Sequence, residues 1–307
     1  MGLNMFQRAV QFLNKAKSTI NHLDLSLHGY KSPKVNLGRI QNTLNLQRND
    51  ICKITDVEFQ VFSQFGDDGI IQYLISKIDI PNKTFVEFGV ENYTEANTRF
   101  LLVNNNWKGL VIDGNQKNID YIKSDQLSTL YQLYSKCAFI TKDNINDLIA
   151  EMGFEQDLGL LSVDIDGNDY WVWKAIEVVK PIIVVSEYNA DFGTTNPWTI
   201  PYQSDFVIGT NFPVSYWGAS LLSLCDLSEE KGYSFIGCNS QGNNAYFVRN
   251  DKLGSFKKLS CEEGYSKAKF FMARDQSGKR LELEERYLSM IGLPIFNTRK
   301  QQTEEIA

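Results

Sequence analysis

The stretch that most constrains this chain runs from Thr84 to Asn115, T-F-V-E-F-G-V-E-N-Y-T-E-A-N-T-R-F-L-L-V-N-N-N-W-K-G-L-V-I-D-G-N. It reads as strand, turn, helix, strand, turn. Thr84–Phe88 is a short apolar run of β-formers, closed at once by Gly89. Glu95–Val103 has helical spacing, with Ala96, Phe100, Leu101 and Val103 on the inward face. Leu110–Ile112 is a second apolar run, ending on Asp113-Gly114. Two parallel strands joined by a crossover helix make the βαβ unit of a doubly wound α/β fold, in which ligands lie beyond the carboxyl ends of the strands. Glu87 and Gly89 close the first strand and Asp113 closes the second, where an acid can take both hydroxyls of a ribose.

What the unit lacks narrows the ligand. A dinucleotide site needs G-x-G-x-x-G so that bare backbone can approach a pyrophosphate. Here Gly89 is followed by Val90, Glu91 and Asn92, and an acid at 91 repels phosphate. A nucleoside cofactor without phosphate, such as S-adenosylmethionine, fits better. An ordinary buried βαβ with a glycine in its turn would carry the same letters.

Length and charge exclude several classes. A chain of 307 residues suits one large domain with appendages, and its composition is that of a soluble globular protein. The net charge of −6 disfavours a general nucleic-acid binder. No apolar run approaches the roughly 18 residues of a membrane span. Met1–Leu13 lacks the apolar core of a signal peptide, and the five cysteines form no C-x-x-C pair, so reduced thiols in a cytoplasmic protein are expected. Both histidines, His22 and His28, fall near the N-terminus. A Ser-His-Asp hydrolase and an H-E-x-x-H zinc enzyme are therefore disfavoured, and a proton acceptor must be a carboxylate, tyrosine, lysine or metal-bound hydroxide.

The rest of the chain divides accordingly. Residues 1–50 form a peripheral segment for packing or dimerisation, with helical spacing over Met5–Ile20. Residues 51–250 form the ligand-binding domain. In it, Ser63–Ile71 leads into a helix, and Asp67 or Asp68 caps that helix, or Gln64 and Asp67 stand beside the cofactor. Further strands are expected at Leu130–Cys137, Leu158–Ile165 and Pro181–Ser186, then a closing antiparallel hairpin of Tyr233–Gly237 and Asn244–Arg249. Residues 190–216 break the alternation with many aromatics, and a substrate-covering lid is expected there. Residues 251–307 are expected to be a helical extension, with short helices at Gly264–Arg274 and Leu281–Met290 and a frayed end from Gln301.

This layout, with acids on strand tips and no phosphate loop, resembles the class I S-adenosylmethionine-dependent methyltransferases. Within them, V-E-F-G at Val86–Gly89, Asn97-Thr98, V-I-D-G-N at Val111–Asn115 and V-D-I-D-G at Val163–Gly167 resemble the FkbM-related O-methyltransferases, and S-Q-F-G-D-D-G-I-I at Ser63–Ile71 is similar to the segment before their first strand. The resemblance covers roughly Gln60–Arg249 and departs from the broad pattern at Glu91, which replaces the second glycine of G-x-G. It implies a Rossmann-like, mostly parallel sheet and a cofactor site drawn from Gln64, Glu87, Gly89, Asn97, Asp113, Gly114, Asn115, Ala138, Phe139 and Asp164. Glu87 and the backbone of Gly89 would hold the methionine end, Asp113 the ribose, Ala138 and Phe139 the adenine, and Asp164 the ammonium group.

Methyl transfer to a neutral hydroxyl needs alignment and a base. Asp166 and Glu187, on the tips of strands four and five, are the candidate bases, and Tyr188 or Asn189 could orient the acceptor. Asp164 or Asp166, with Glu187 and Asn189, would also give the all-oxygen ligands that Mg²⁺ prefers. The expected acceptor is a sugar, a nucleotide sugar or another small polar metabolite, with a homo-oligomer open. A nicotinamide-dependent oxidoreductase and a non-catalytic binding protein on the same fold are the competing readings.

Overall fold

The computed structural model describes residues 32–154, 156–269 and 279–307. The expected helix over Met5–Ile20, both histidines, and residues 270–274 of the expected helix at Gly264–Arg274 lie outside the described residues; the described part of the latter, from Tyr265 to Lys269, is not helical, and the short helix there ends at Gly264. Helix α1 (Pro33–Gln47) and helix α2 (Asp67–Lys77) precede the alternating unit. Then follow β1 (Thr84–Phe88), α3 (Arg99–Asn105), β2 (Lys108–Asp113), α4 (Gln116–Ser124), α5 (Leu127–Leu130), β3 (Leu133–Cys137), α6 (Ile145–Ala150), β4 (Gln156–Val163), α7 (Asp169–Ala175) and β5 (Val179–Glu187). After a long connection carrying β6 (Trp198–Thr199), the chain makes α8 (Leu221–Glu230), β7 (Tyr233–Cys238) and β8 (Asn244–Arg249). The C-terminal segment holds α9 (Cys261–Gly264), α10 (Leu283–Leu288), β9 (Pro294–Asn297) and β10 (Gln302–Glu305).

The main sheet has seven strands in the order β3-β2-β1-β4-β5-β8-β7. Strands β1 to β5 are mutually parallel, and β8 is antiparallel to β5 and to β7. This is a doubly wound, Rossmann-like sheet, mostly parallel, with the expected closing antiparallel hairpin. Strand order reverses between β1 and β4, so the crevice of the switch point opens above Gly89 and Asp164. Alternate residues feed two cores, one on each face. Val86, Phe88, Leu161 and Val184 pack with α6, α7 and α8, while Phe85, Val111, Leu160 and Val185 pack with α2, α3 and α4. The central strands are therefore apolar on both faces, which explains the near-continuous runs at β4 and β5.

Two expectations about the periphery change. The end of the chain is not frayed: β10 pairs antiparallel with β9, and β9 pairs with β6 of the long connection. The expected extension of helices thus contains a hairpin that zips onto the connection. Phe192, Trp198, Tyr216 and Trp217 are buried against Met290, Ile295 and Ile306 in a third core. Ion pairing adds to this, because Arg286 of α10 holds Asp191 at 3.0 Å with both side chains nearly buried. Sequence pattern missed the hairpin because Gln302–Glu305 carries no apolar alternation of its own.

Candidate active site

Each strand tip contributes through a local device that the sequence dictates. At β1, Gly89 adopts φ +67°, and a Cβ there would fall 1.8 Å from the Asp164 carbonyl oxygen. Only glycine lets the β1 and β4 tips meet this closely. Glu87, two residues earlier, is buried and used locally. Its Oε1 accepts from Asn97 N at 2.8 Å, and its Oε2 accepts from Thr98 N at 3.1 Å and from the Thr98 hydroxyl. These bonds hold the segment before α3 out of helix, so α3 begins at Arg99 and not at the expected Glu95. Asn97 donates onward to Ser162 Oγ at 3.1 Å. Glu87 and Asn97 therefore brace the switch point from beneath and do not line the pocket. Burial pushes the Glu87 carboxyl up to about 7.

At β2, Asp113 Oδ1 accepts from Asn115 N at 2.8 Å and Asn118 Nδ2 at 3.0 Å. These bonds fix the carboxylate and leave Oδ2 for a ligand. Asn115 is turned to another task, capping α4 through Lys117 N at 3.0 Å. Gly114 lies beside Phe139 and Ala138, and the Ala138 N–H donates to Asp113 O. Phe139 at the β3 tip leaves half of its ring exposed, which is unusual for a large apolar side chain beside a cleft.

These tips enclose a pocket of about 210 Å³. Gly89, Asp113, Gly114, Ala138, Phe139 and Asp166 are the lining residues that the sequence pointed to. Its opposite wall is Phe206-Val207-Ile208 from the long connection, with Glu91 and Asn168 at the edges. The apolar wall was missed as cofactor lining, because the connection was read as covering the acceptor. A signal existed in Gly167, where a Cβ would lie 2.3 Å from the Phe206 ring, so this glycine admits the wall to the β4 turn. Asn168 Nδ2 donates to Gln203 O at 2.7 Å and anchors the same connection. Among the described residues three carboxylates line the pocket and no Lys, Arg or His does.

The β4 turn is held by Asp169. Its two oxygens accept from Ile165 N at 2.8 Å and Gly167 N at 2.9 Å. That brace puts Asp166 in the left-handed region at φ +55° and turns it toward the pocket. Desolvation pushes the Asp169 carboxyl up to about 6. Asp164, Asp166 and Glu187 bring carboxylate oxygens within 4.8 Å of one another. Asp164 and Glu187 share a hydrogen bond; burial, then the charges of Asp166, Asp169 and Glu87, raises Asp164 well above the usual carboxylate range, and burial, then the charges of Asp164, Asp166 and Asp169, does the same to Glu187. Burial and the charge of Glu91 raise Asp166 too. Two acids this close cannot both ionise readily, so the pair titrates as a unit above the range of an isolated carboxylate. Glu187 Oε2 is buried with no hydrogen-bond partner.

The neighbours of Glu187 do not join it. Tyr188 is buried and its hydroxyl donates to Ser266 O at 2.6 Å. Asn189 caps the connection, donating to Ser215 O and Trp217 O and accepting from Asp191 N. Gln64 stands on the other side of the β5 tip, where its Oε1 accepts from Asn243 Nδ2 at 3.3 Å. Asp67 lies behind it, bonded to Asn239, Asn244 and Tyr246 of the hairpin, while Asp68 Oδ2 accepts from Val61, Phe62 and Ser63 N–H groups. Both acids at the start of α2 are thus structural. Among the described residues no helix is long and apolar enough to cross a membrane.

No family model matches the chain, and no curated protein matches it significantly. Solved structures do align with it. The N-terminal domain of EvdMO1 with SAH bound aligns over 69% of this chain and 94% of its own, at 9% identity and a TM-score of 0.39. An O-methyltransferase from Bacillus cereus in complex with SAH aligns over 71% and 90%, at 12% identity and a TM-score of 0.39. An S-adenosylmethionine-dependent methyltransferase from Clostridium acetobutylicum aligns over 70% and 98%, at 11% identity and a TM-score of 0.39. At such values the likeness assigns neither family nor activity.

Proposed function

We propose that the chain is a cytoplasmic S-adenosylmethionine-dependent O-methyltransferase of the FkbM-related kind, acting on a hydroxyl of a sugar, a nucleotide sugar or a related small polar metabolite. One observation carries the cofactor assignment. The pocket over the switch point has an oriented carboxylate, Asp113, at the β2 tip, and its lining among the described residues is acidic with no cation. A pyrophosphate would meet Asp113, Glu91 and Asp166 at short range, so a nicotinamide dinucleotide is opposed by charge. A phosphate-free nucleoside with a cationic tail is favoured by the same charge.

The residues present fit S-adenosylmethionine on this chemistry. Asp113 Oδ2 would take the ribose hydroxyls, Ala138 and the half-exposed Phe139 the base, and Ile208 and Val207 its other face. Glu91 and Asp166 would face the positive end in place of Glu87, whose oxygens are already occupied, and of Asp164, which does not line the pocket. The cofactor, when bound, supplies an electrophilic methyl group on sulfonium. The chain must then orient a hydroxyl and remove its proton. The Asp164–Glu187 pair supports that role, because a carboxylate with a raised pKa is the stronger base. Asp166 stands within reach of the same point.

A second reading of the three acids is favoured by the orphaned Glu187 Oε2. Asp164, Asp166 and Glu187 would offer Mg²⁺ an all-oxygen set, which would orient the acceptor oxygen instead of a bare carboxylate.

The test is calorimetric titration of the full chain with S-adenosylmethionine and, separately, NAD. Heat with the first and none with the second is expected. Asp113→Ala should weaken the first at least tenfold, since it removes charge-assisted hydrogen bonds. Binding of NAD alone, or unchanged affinity in Asp113→Ala, would contradict the assignment.

A further inference from the structure

Three non-glycine residues around the switch point hold left-handed backbone: Glu91 at φ +47°, Tyr93 at φ +63° and Asp166 at φ +55°. That region is costly for an L side chain and persists only where the surroundings offset the cost. For two of the three the offset is visible. Tyr93 is buried, its hydroxyl shares a hydrogen bond with Thr98 Oγ1 at 2.9 Å, and the Arg99 guanidinium lies 5.7 Å from its ring centre. Asp166 sits in the turn that Asp169 clamps through Ile165 N and Gly167 N. Glu91 is exposed, and among the described residues no hydrogen bond or ion pair holds it.

Charge opposes Glu91 as well. Burial and then the charge of Glu91 raise the Asp166 carboxyl, and burial and then Glu91 raise that of Glu95. Glu91 thus stands against two like charges on backbone that suits glycine, at the position of the second glycine of G-x-G. Nothing in the fold explains an acid there, whereas a cation in the pocket it lines would.

Strand order says which cation. The order β3-β2-β1-β4 sets Phe139, Asp113, Gly89 and Asp166 in sequence along the pocket. Neighbouring strands lie about 4.8 Å apart. A nucleoside with its base at Phe139 and its ribose at Asp113 therefore carries its 5′ substituent over β1 and β4, where Glu91 and Asp166 form the lining. In S-adenosylmethionine that substituent begins with the sulfonium. Methyl transfer changes the charge at this atom. The sulfur–methyl bond breaks with its electron pair left on sulfur, a carbon–oxygen bond forms at the acceptor, and the acceptor's proton passes to the carboxylate base. A cation becomes a neutral thioether, while base, ribose and amino-acid tail stay the same.

We propose that Glu91 is a specificity-determining residue that distinguishes the charged cofactor from its neutral product, attracting the sulfonium and losing that attraction once the methyl group has left. The inference rests on S-adenosylmethionine being the cofactor.

Calorimetric titration of the full chain with S-adenosylmethionine and with S-adenosylhomocysteine tests it without turnover. Glu91→Gln should weaken the first about fivefold, the effect of one charge at about 4 Å in water, and leave the second unchanged. In the wild type the preference for the charged ligand should shrink as salt rises, because Glu91 is exposed. Glu91→Gly should lose the same preference and raise the melting temperature of the unliganded chain, since glycine suits φ +47° and ends the repulsion. Equal weakening of both ligands in Glu91→Gln would overturn the inference alone, because Glu91 would then face the ammonium group that both ligands share. A lower melting temperature in Glu91→Gly would also overturn it, because the fold itself would then require the glutamate. A wild type that binds neither ligand would overturn the cofactor assignment and this inference with it.

Discussion

Glu187 is where the sequence alone placed a candidate base, and its surroundings say why a glutamate can serve. Alone at a strand tip it would be an ordinary carboxylate. Beside Asp164 and out of water, it holds its proton far above the usual range. Glu187→Gln keeps the shape and removes the titration. Turnover should fall by about 10²–10⁴-fold while cofactor affinity changes little. The wild-type rate should drop as pH falls through the raised pKa of the pair, because the base is then protonated. Exhaustive EDTA treatment separates the two uses of the cluster: a rate that survives belongs to the carboxylate, and a rate lost and restored by Mg²⁺ belongs to the cation. Full activity in Glu187→Gln would remove both.

At the scale of elements, the β1–α3 connection explains what was legible and what was not. The strand, the turn glycine and the crossover were readable because period, apolar run and Gly89 all point one way. The role of Glu87 was not readable, because its partners Asn97 and Thr98 are a loop away and their N–H groups carry no letter in the sequence. The same limit applies to Tyr188 and Asn189, which lie next to the acid that matters yet bond to Ser266 and to the connection. Phe206–Ile208 was hidden because pocket walls from distant loops leave no local period. Glu87 also makes a measurable claim. Its folded pKa is raised from 4.5 to about 7, so the native state binds the proton more tightly than the unfolded chain does. That contribution is present below pH 4.5 and is lost as pH rises toward about 7. The shift corresponds to about 3 kcal/mol. Denaturant melts from pH 5 to 8 should show stability falling with pH, and Glu87→Gln, which imitates the neutral acid, should remove the share of that fall that Glu87 supplies. Asp68, Asp169 and Asp191, each raised to about 6, and the Asp164–Glu187 pair should leave the remaining slope in the variant. A variant that melts with the wild-type pH dependence would show that Glu87 is ionised throughout.

Over the whole molecule, a parallel sheet that reverses at β1 and β4 collects acids at one edge and closes them under an apolar wall tied down by the C-terminal hairpin. The hairpin joins Trp198–Thr199 through Pro294–Asn297, so the wall is part of the folded body. The account depends on a nucleoside without phosphate lying across those strand ends. A crystal of the full chain soaked with S-adenosylhomocysteine tests this most directly. The account predicts both ribose hydroxyls within hydrogen-bonding distance of Asp113 and the base between Phe139 and the Val207–Ile208 wall. A nucleoside bound elsewhere, or a ribose turned away from Asp113 in this pocket, would contradict it.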